Sequence, residues 1–271
     1  MITTRVVGDR IDVVVKCERR PAVYLDQFAL HHFSTNREHK ARFLGAFASR
    51  GEVLFSSANV SEVVQTAGAT LEATCAFLDA VGPYWVPIEM DVWAVLRATR
   101  RASEAHPALD GKLLQIVYEL TRGRSSEIRL GNALSVMRSH FPDGAFFRDT
   151  LSKAKARSVR RVAELRQACR DTPEKARVIT DRGPVVHTLT ALVHAILVEE
   201  ARSFAWTPND AVDFGHALMP LVLADAMFMD KAWKRRVERI ASSLPQDLPQ
   251  IFYEPESSQF LDWLESQPAA G

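Results

Sequence analysis

Apolar residues fall along this chain in two textures. Up to about residue 90, and again after about 205, short unbroken apolar runs alternate with stretches of helical spacing; between them only helical spacing is found. The runs Ile11 to Lys16 and Ala22 to Leu25 read as strands, the second unbroken, as the buried centre of a parallel sheet requires. Val53 to Ser57 reads as a third strand and Tyr84 to Pro87 as a fourth. Between Leu25 and Val53, Phe33, Phe43, Leu44 and Phe47 interleave with charge over Gln27 to Ser49, so the unit is strand, helix, strand. Such a crossover makes its two strands parallel.

From about Asp91 the runs stop, and Val92/Val95/Leu96, Leu113/Leu114/Val117 and Leu192/Ile196 follow helical spacing. The expected organisation is an α/β domain built from 1–90 and 205–271, with an α-helical insertion over 91–204. Thr207-Pro208-Asn209-Asp210 opens a helix with Thr207 as N-cap and Pro208 at its first position. That helix is expected to run to about Leu218, where Pro220 disturbs it. Ala226 to Met229 follows as a buried strand, Lys231 to Ser243 as a basic amphipathic helix, and Ile251 to Tyr253 as a last strand.

The chemistry lies at the ends of these runs. Asp26 directly follows one strand, Asp230 directly follows another, and Glu62 stands about one turn into the helix after Val53 to Ser57. Asp213 lies in the first two turns of the helix that leads back to the Asp230 strand. In an open parallel sheet, sites form outside the carboxyl ends of the strands. All four acids can meet at that edge. Hard oxygen donors without His or Cys suit Mg2+ or Mn2+, and such an ion clamps a phosphate and acidifies the attacking water. The ion would also offset the repulsion among the four.

Charge and cysteine content narrow the rest. With 34 Lys and Arg against 33 Asp and Glu, net charge names no partner; a nucleic-acid footprint has to be local. One basic run covers 152 to 177, and Lys231, Lys234, Arg235, Arg236 and Arg239 form another. The three cysteines, Cys17, Cys75 and Cys169, are spread out and unpaired in pattern, which fits a reducing compartment. Val185 to Val198 is too short to span a bilayer, and no secretory signal opens the chain. A cytoplasmic protein without a membrane partner is expected, and a homodimer is compatible with the sequence.

Tyr24-Leu25-Asp26-Gln27, Ser56 to Val63 with Glu62, Asn209 to Ala217 with Asp213, and Ala224 to Lys231 with Asp230 together resemble the PIN-like nuclease superfamily. The resemblance covers roughly 20 to 90 and 205 to 255. It implies an α/β/α sandwich with a central parallel sheet and a metal-dependent nuclease acting on RNA ahead of DNA. It also implies Asp26, Glu62, Asp213 and Asp230, in that order, as metal-binding and catalytic acids. Two departures stand out: Phe228 occupies the place of the family's Thr or Ser two residues before the last acid, and the helical stretch is long. The first favours a rival reading, a PIN-like fold without catalysis that binds protein or RNA within a larger assembly.

Each candidate also has a plainer role. Asp26 can cap the following helix, and Glu62 can be a helix acid or a capping partner of Asn59. Asp210 is better explained as helix-start chemistry and is only a reserve ligand, while Asp225 falls at the opposite end of its strand. His216, one turn after Asp213, can reach a phosphate or simply bond within its helix. Lys231 can hold phosphate at the rim or be solvated, and Trp85, Trp93, Trp206 and Trp233 read as packing residues.

Overall fold

The computed structural model describes residues 2–7, 10–15, 21–47, 50–92, 95, 109–121, 127–141, 145–171, 192–193, 195–196, 207–241, 244 and 248–268. Five strands form an all-parallel sheet: β3 (Ala22–Leu25), β4 (Glu52–Ser56), β5 (Trp85–Ile88), β6 (Ala226–Phe228) and β7 (Gln250–Phe252), ordered β5-β4-β3-β6-β7. The chain moves outward from β3 through β4 to β5, then returns to the other side of β3 as β6. The order therefore reverses between β3 and β6, and the crevice at their carboxyl ends is where ligands bind in such sheets.

β1 (Ile2–Val7) and β2 (Arg10–Val15) make a separate antiparallel hairpin. The strand expected over Ile11 to Lys16 is thus present up to Val15 but pairs outside the parallel sheet. Its missing partner is the N-terminal run itself, joined through the two residues Gly8 and Asp9, a spacing that favours hairpins.

Helices cover both faces of the central sheet, an arrangement consistent with three layers. On one face α1 (Gln27–Thr35), α2 (Arg37–Phe47), α3 (Ser57–Gln65), α4 (Gly68–Val81) and α10 (Ser257–Ser266) bury Leu30, Phe33, Phe43, Val63, Phe77 and Phe260 against Val23, Leu25, Val53, Phe55 and Phe228. Asn36 breaks the Gln27 to Ser49 stretch into two helices. On the other face α8 (Pro208–Leu223) and α9 (Lys231–Ala241) pack on Tyr24, Leu54, Val86 and Met227. Pro220 lies inside α8 rather than ending it. The proline removes one backbone bond, but Ala217, Leu218, Met219 and Leu221 are all buried, and that packing carries the helix across.

In the stretch 91–204 the described helices are α5 (Gly111–Thr121), α6 (Leu130–His140) and α7 (Ala145–Asp171). They share the cores just described. Leu113, Val117, Leu130, Leu134 and Met137 belong to the first and Val162 to the second. The buried Trp85 indole donates to the Ile128 carbonyl at 2.8 Å. α6 approaches α4 through Gly131, where a Cβ would stand 2.0 Å from the Cys75 carbonyl oxygen. Cys17, Trp93, Lys175, Arg177, Trp206 and most of Val185 to Val198 lie outside the described residues. Among the described residues no helix is long and apolar enough to cross a membrane.

Candidate metal centre

Asp26 and Asp230 stand at adjacent strand ends. The Asp26 N–H donates to the Phe228 carbonyl at 3.1 Å, so the backbone itself fixes β3 beside the end of β6. Each acid also caps a helix. Asp26 Oδ1 accepts from the Ala29 N–H at 2.7 Å, and Asp230 Oδ1 accepts from Ala232 at 2.6 Å and Trp233 at 2.9 Å. The plainer reading of Asp26 as a cap is therefore true, and it does not displace the other, because these capping bonds engage Oδ1 of each acid.

Glu62 is the sixth residue of α3 and Asp213 the sixth of α8. The cap of α3 is Ser56, whose capping box is closed by Asn59 and not by Glu62. This relieves Glu62 of the capping role expected as its alternative. Asn59 further ties α3 to the sheet by donating to the Leu25 carbonyl.

Electrostatics show how far the acids converge. Burial first, and then the neighbouring charges of Asp230 and Glu62, push the Asp26 carboxyl up to about 7, against opposing backbone bonds. Asp213 is pushed up to about 6 by burial and by Asp230. The Trp233 indole N–H opposes that shift from nearby without a hydrogen bond of ordinary geometry. The fully buried Tyr24 hydroxyl is held neutral by burial and by the charges of Asp26 and Glu62. Through their charges Glu62 couples to Asp26, Asp26 to Asp230 and Asp230 to Asp213, an arc of electrostatic coupling. It is an arc and not a cage: among the described residues no three carboxylate, imidazole or thiolate groups stand close enough to chelate one ion.

The neighbouring candidates separate cleanly. Asp210 closes the capping box of α8 with Thr207 and pairs with Arg236 at 2.9 Å. Burial works against its charge, but those bonds outweigh it and hold its carboxyl below the ordinary range. Asp225 lies at the amino end of the sheet, accepting the Ala22 N–H at 2.7 Å. His216 Nδ1 stands 3.5 Å from the Tyr24 hydroxyl, which joins α8 to β3 beneath the arc. Phe228 is fully buried, edge-on to Phe33 and Phe260 at 5.3 and 5.6 Å between ring centres. A hydroxyl there would face an aromatic floor.

Three features were not singled out in the sequence. α7 packs on both α3 and α8, the helices that carry Glu62 and Asp213. Tyr253 directly follows β7, and the Met229 N–H donates to the Phe252 carbonyl at 3.0 Å, so Tyr253 adjoins the Asp230 turn. Phe28, two residues past Asp26, is 40% exposed. An aromatic two residues after a strand-end acid was the available signal.

No protein-family model matches the chain, and no curated protein or solved structure matches it.

Proposed function

We propose that this protein is a PIN-like, metal-dependent nuclease that hydrolyses phosphodiester bonds, with RNA ahead of DNA as substrate. The observation that carries the reading is the convergence of Asp26 and Asp230, with Glu62 and Asp213 beside them, at the reversal of strand order in an all-parallel sheet. Carboxylates raised by burial, and further by one another's charge, are unfavourable in their ionised form unless something cationic joins them. The donor set is all hard oxygen, which fits Mg2+ or Mn2+, and such ions need only one or two protein carboxylates because water and substrate phosphate complete the shell. An arc suffices for that.

In this reading Asp26 and Asp230 hold the ion, with Glu62 and Asp213 flanking it. The ion supplies a polarised phosphoryl group and an acidified water. The protein's own part is positional. Helix capping fixes one oxygen each of Asp26 and Asp230, and the Ser56–Asn59 box sets the start of α3. The buried Tyr24 hydroxyl stays protonated beneath the acids as a fixed dipole. α7, braced on α3 and α8, supports the helices that present Glu62 and Asp213 or grips substrate beside them.

The rival reading, a PIN-like fold that binds protein or RNA without cutting, draws on Phe228 in place of a hydroxyl residue and on the lack of three chelating groups at close range among the described residues. Incubation of the purified protein with Mn2+ or Mg2+ and single-stranded RNA or DNA separates the two. Cleavage that disappears in Asp26→Asn supports the enzyme; substrates left intact by both proteins overturn it.

A further inference from the structure

The five basic residues of α9 do not share one environment. Arg236 is buried against the Trp233 ring and paired with Asp210, and Lys234 is held by Glu256 at 2.5 and 2.6 Å. The remaining three, Lys231, Arg235 and Arg239, are exposed and spaced four apart, which puts them on one outward face of the helix. Lys231 and Arg235 form no ion pair among the described residues. The stripe starts at Lys231, the residue after Asp230, and extends about 12 Å along the helix at 1.5 Å per residue.

Aromatic surface stands where this stripe meets the acids. Tyr253, half-buried, carries the Lys231 ammonium 5.7 Å from its ring centre. Phe28 exposes its ring in the first turn of α1, two residues past Asp26, and shares a helix face with His32, whose ring stacks on Phe228 at the end of β6, 6.3 Å between centres. Cations in line with exposed rings form the pattern by which proteins hold single strands: phosphates on the charges, bases on the rings. A duplex hides its base faces and has no use for the rings.

We propose that Lys231, Arg235 and Arg239 are a phosphate track for a single-stranded nucleic acid, with Tyr253 and Phe28 as base-stacking platforms where the strand reaches the acids. The direction of the track, toward Asp230, rests on the nuclease reading; its affinity for a strand does not.

The test is fluorescence anisotropy with a labelled single-stranded RNA oligomer in EDTA, where no cutting occurs. Phe28, Lys231 and Arg235 are exposed, so their truncation leaves both cores intact, and thermal melts check Tyr253→Leu. Phe28→Ala and Tyr253→Leu are each expected to weaken binding about fivefold or more. Lys231→Ala/Arg235→Ala is expected to lower the slope of log affinity against log salt by about 1.4, or 0.7 per lost contact. A wild-type protein that does not bind the strand, folded variants that bind as well as wild type, or equal affinity for a duplex of the same sequence overturns the track. Binding without cleavage when Mn2+ replaces EDTA leaves the track standing and overturns the nuclease reading instead. Cleavage by variants with unchanged affinity does the reverse.

Discussion

The two ends of the central sheet use the same residue type to opposite effect. At the amino end, Asp225 accepts the Ala22 N–H, and the Asp225 N–H returns a bond to the Ala22 carbonyl, so one acid closes one strand junction. At the carboxyl end, Asp26 and Asp230 also satisfy backbone N–H groups, but they do so within reach of Glu62 and Asp213, and burial and mutual repulsion raise Asp26 and Asp213. In the proposed reading a bound cation offsets the repulsion among the four.

The comparison can be broken first at its floor. Phe228→Ala should cost about 3–5 kcal/mol in chemical denaturation, as expected for a large core aromatic; a near-neutral result would mean that the carboxyl end does not stand on a packed aromatic base. Asp26→Asn should lower the cleavage rate by about 10²-fold or more while the protein stays folded, a loss typical of an electrostatic group at a reacting centre. Asp225→Ala should do the opposite, costing about 1–3 kcal/mol because the Ala22 N–H loses its acceptor, with cleavage per folded molecule unchanged. If Asp225→Ala silenced cleavage, the distinction between the two ends would fail.

Gly131→Ala tests whether α6 belongs to the same folding unit. A Cβ 2.0 Å from a backbone oxygen forces α6 away from α4, so overpacking should cost about 1–3 kcal/mol and shift one cooperative transition. Two separate transitions would mark 91–204 as independent. The remaining effect is on pH. Asp26 and Asp213 have native pKa values of about 7 and about 6 against an ordinary 3.8. Their contribution to stability is therefore fully present below 3.8 and lost as pH rises from there through 6 to 7. In EDTA the melting temperature should fall over that window, by about 2–4 °C for each kcal/mol lost in a chain of this size. Mn2+ should remove the fall.

Much of this was legible from local pattern. Ala22 to Leu25, the start of the next strand at Val53 and Ala226 to Phe228 are unbroken apolar runs with turn chemistry at their ends, and such runs are buried strands in the structure. Thr207-Pro208 opens its helix as its chemistry predicts. What was not legible depended on tertiary context. A strand over Ile11 to Val15 does not state its partner, Pro220 is tolerated only because both turns around it are packed, and the capping box of α3 begins at Ser56, three residues before the Asn59–Glu62 pair that the sequence suggested. Asp26 and Asp230 could be singled out because the strands before them are readable. The separation of α9 into tethered and outward cations was not readable, because it depends on Asp210 and Glu256, which lie far away in sequence.

Calorimetric titration of the metal-free protein with Mn2+ reaches the central claim most directly, because it asks only whether the four acids act together on a cation. The account expects saturable binding that weakens about tenfold or more in Asp26→Asn and in Asp230→Asn, while Asp225→Asn titrates like the wild type. Absence of binding, or equal binding by all four proteins, would contradict it.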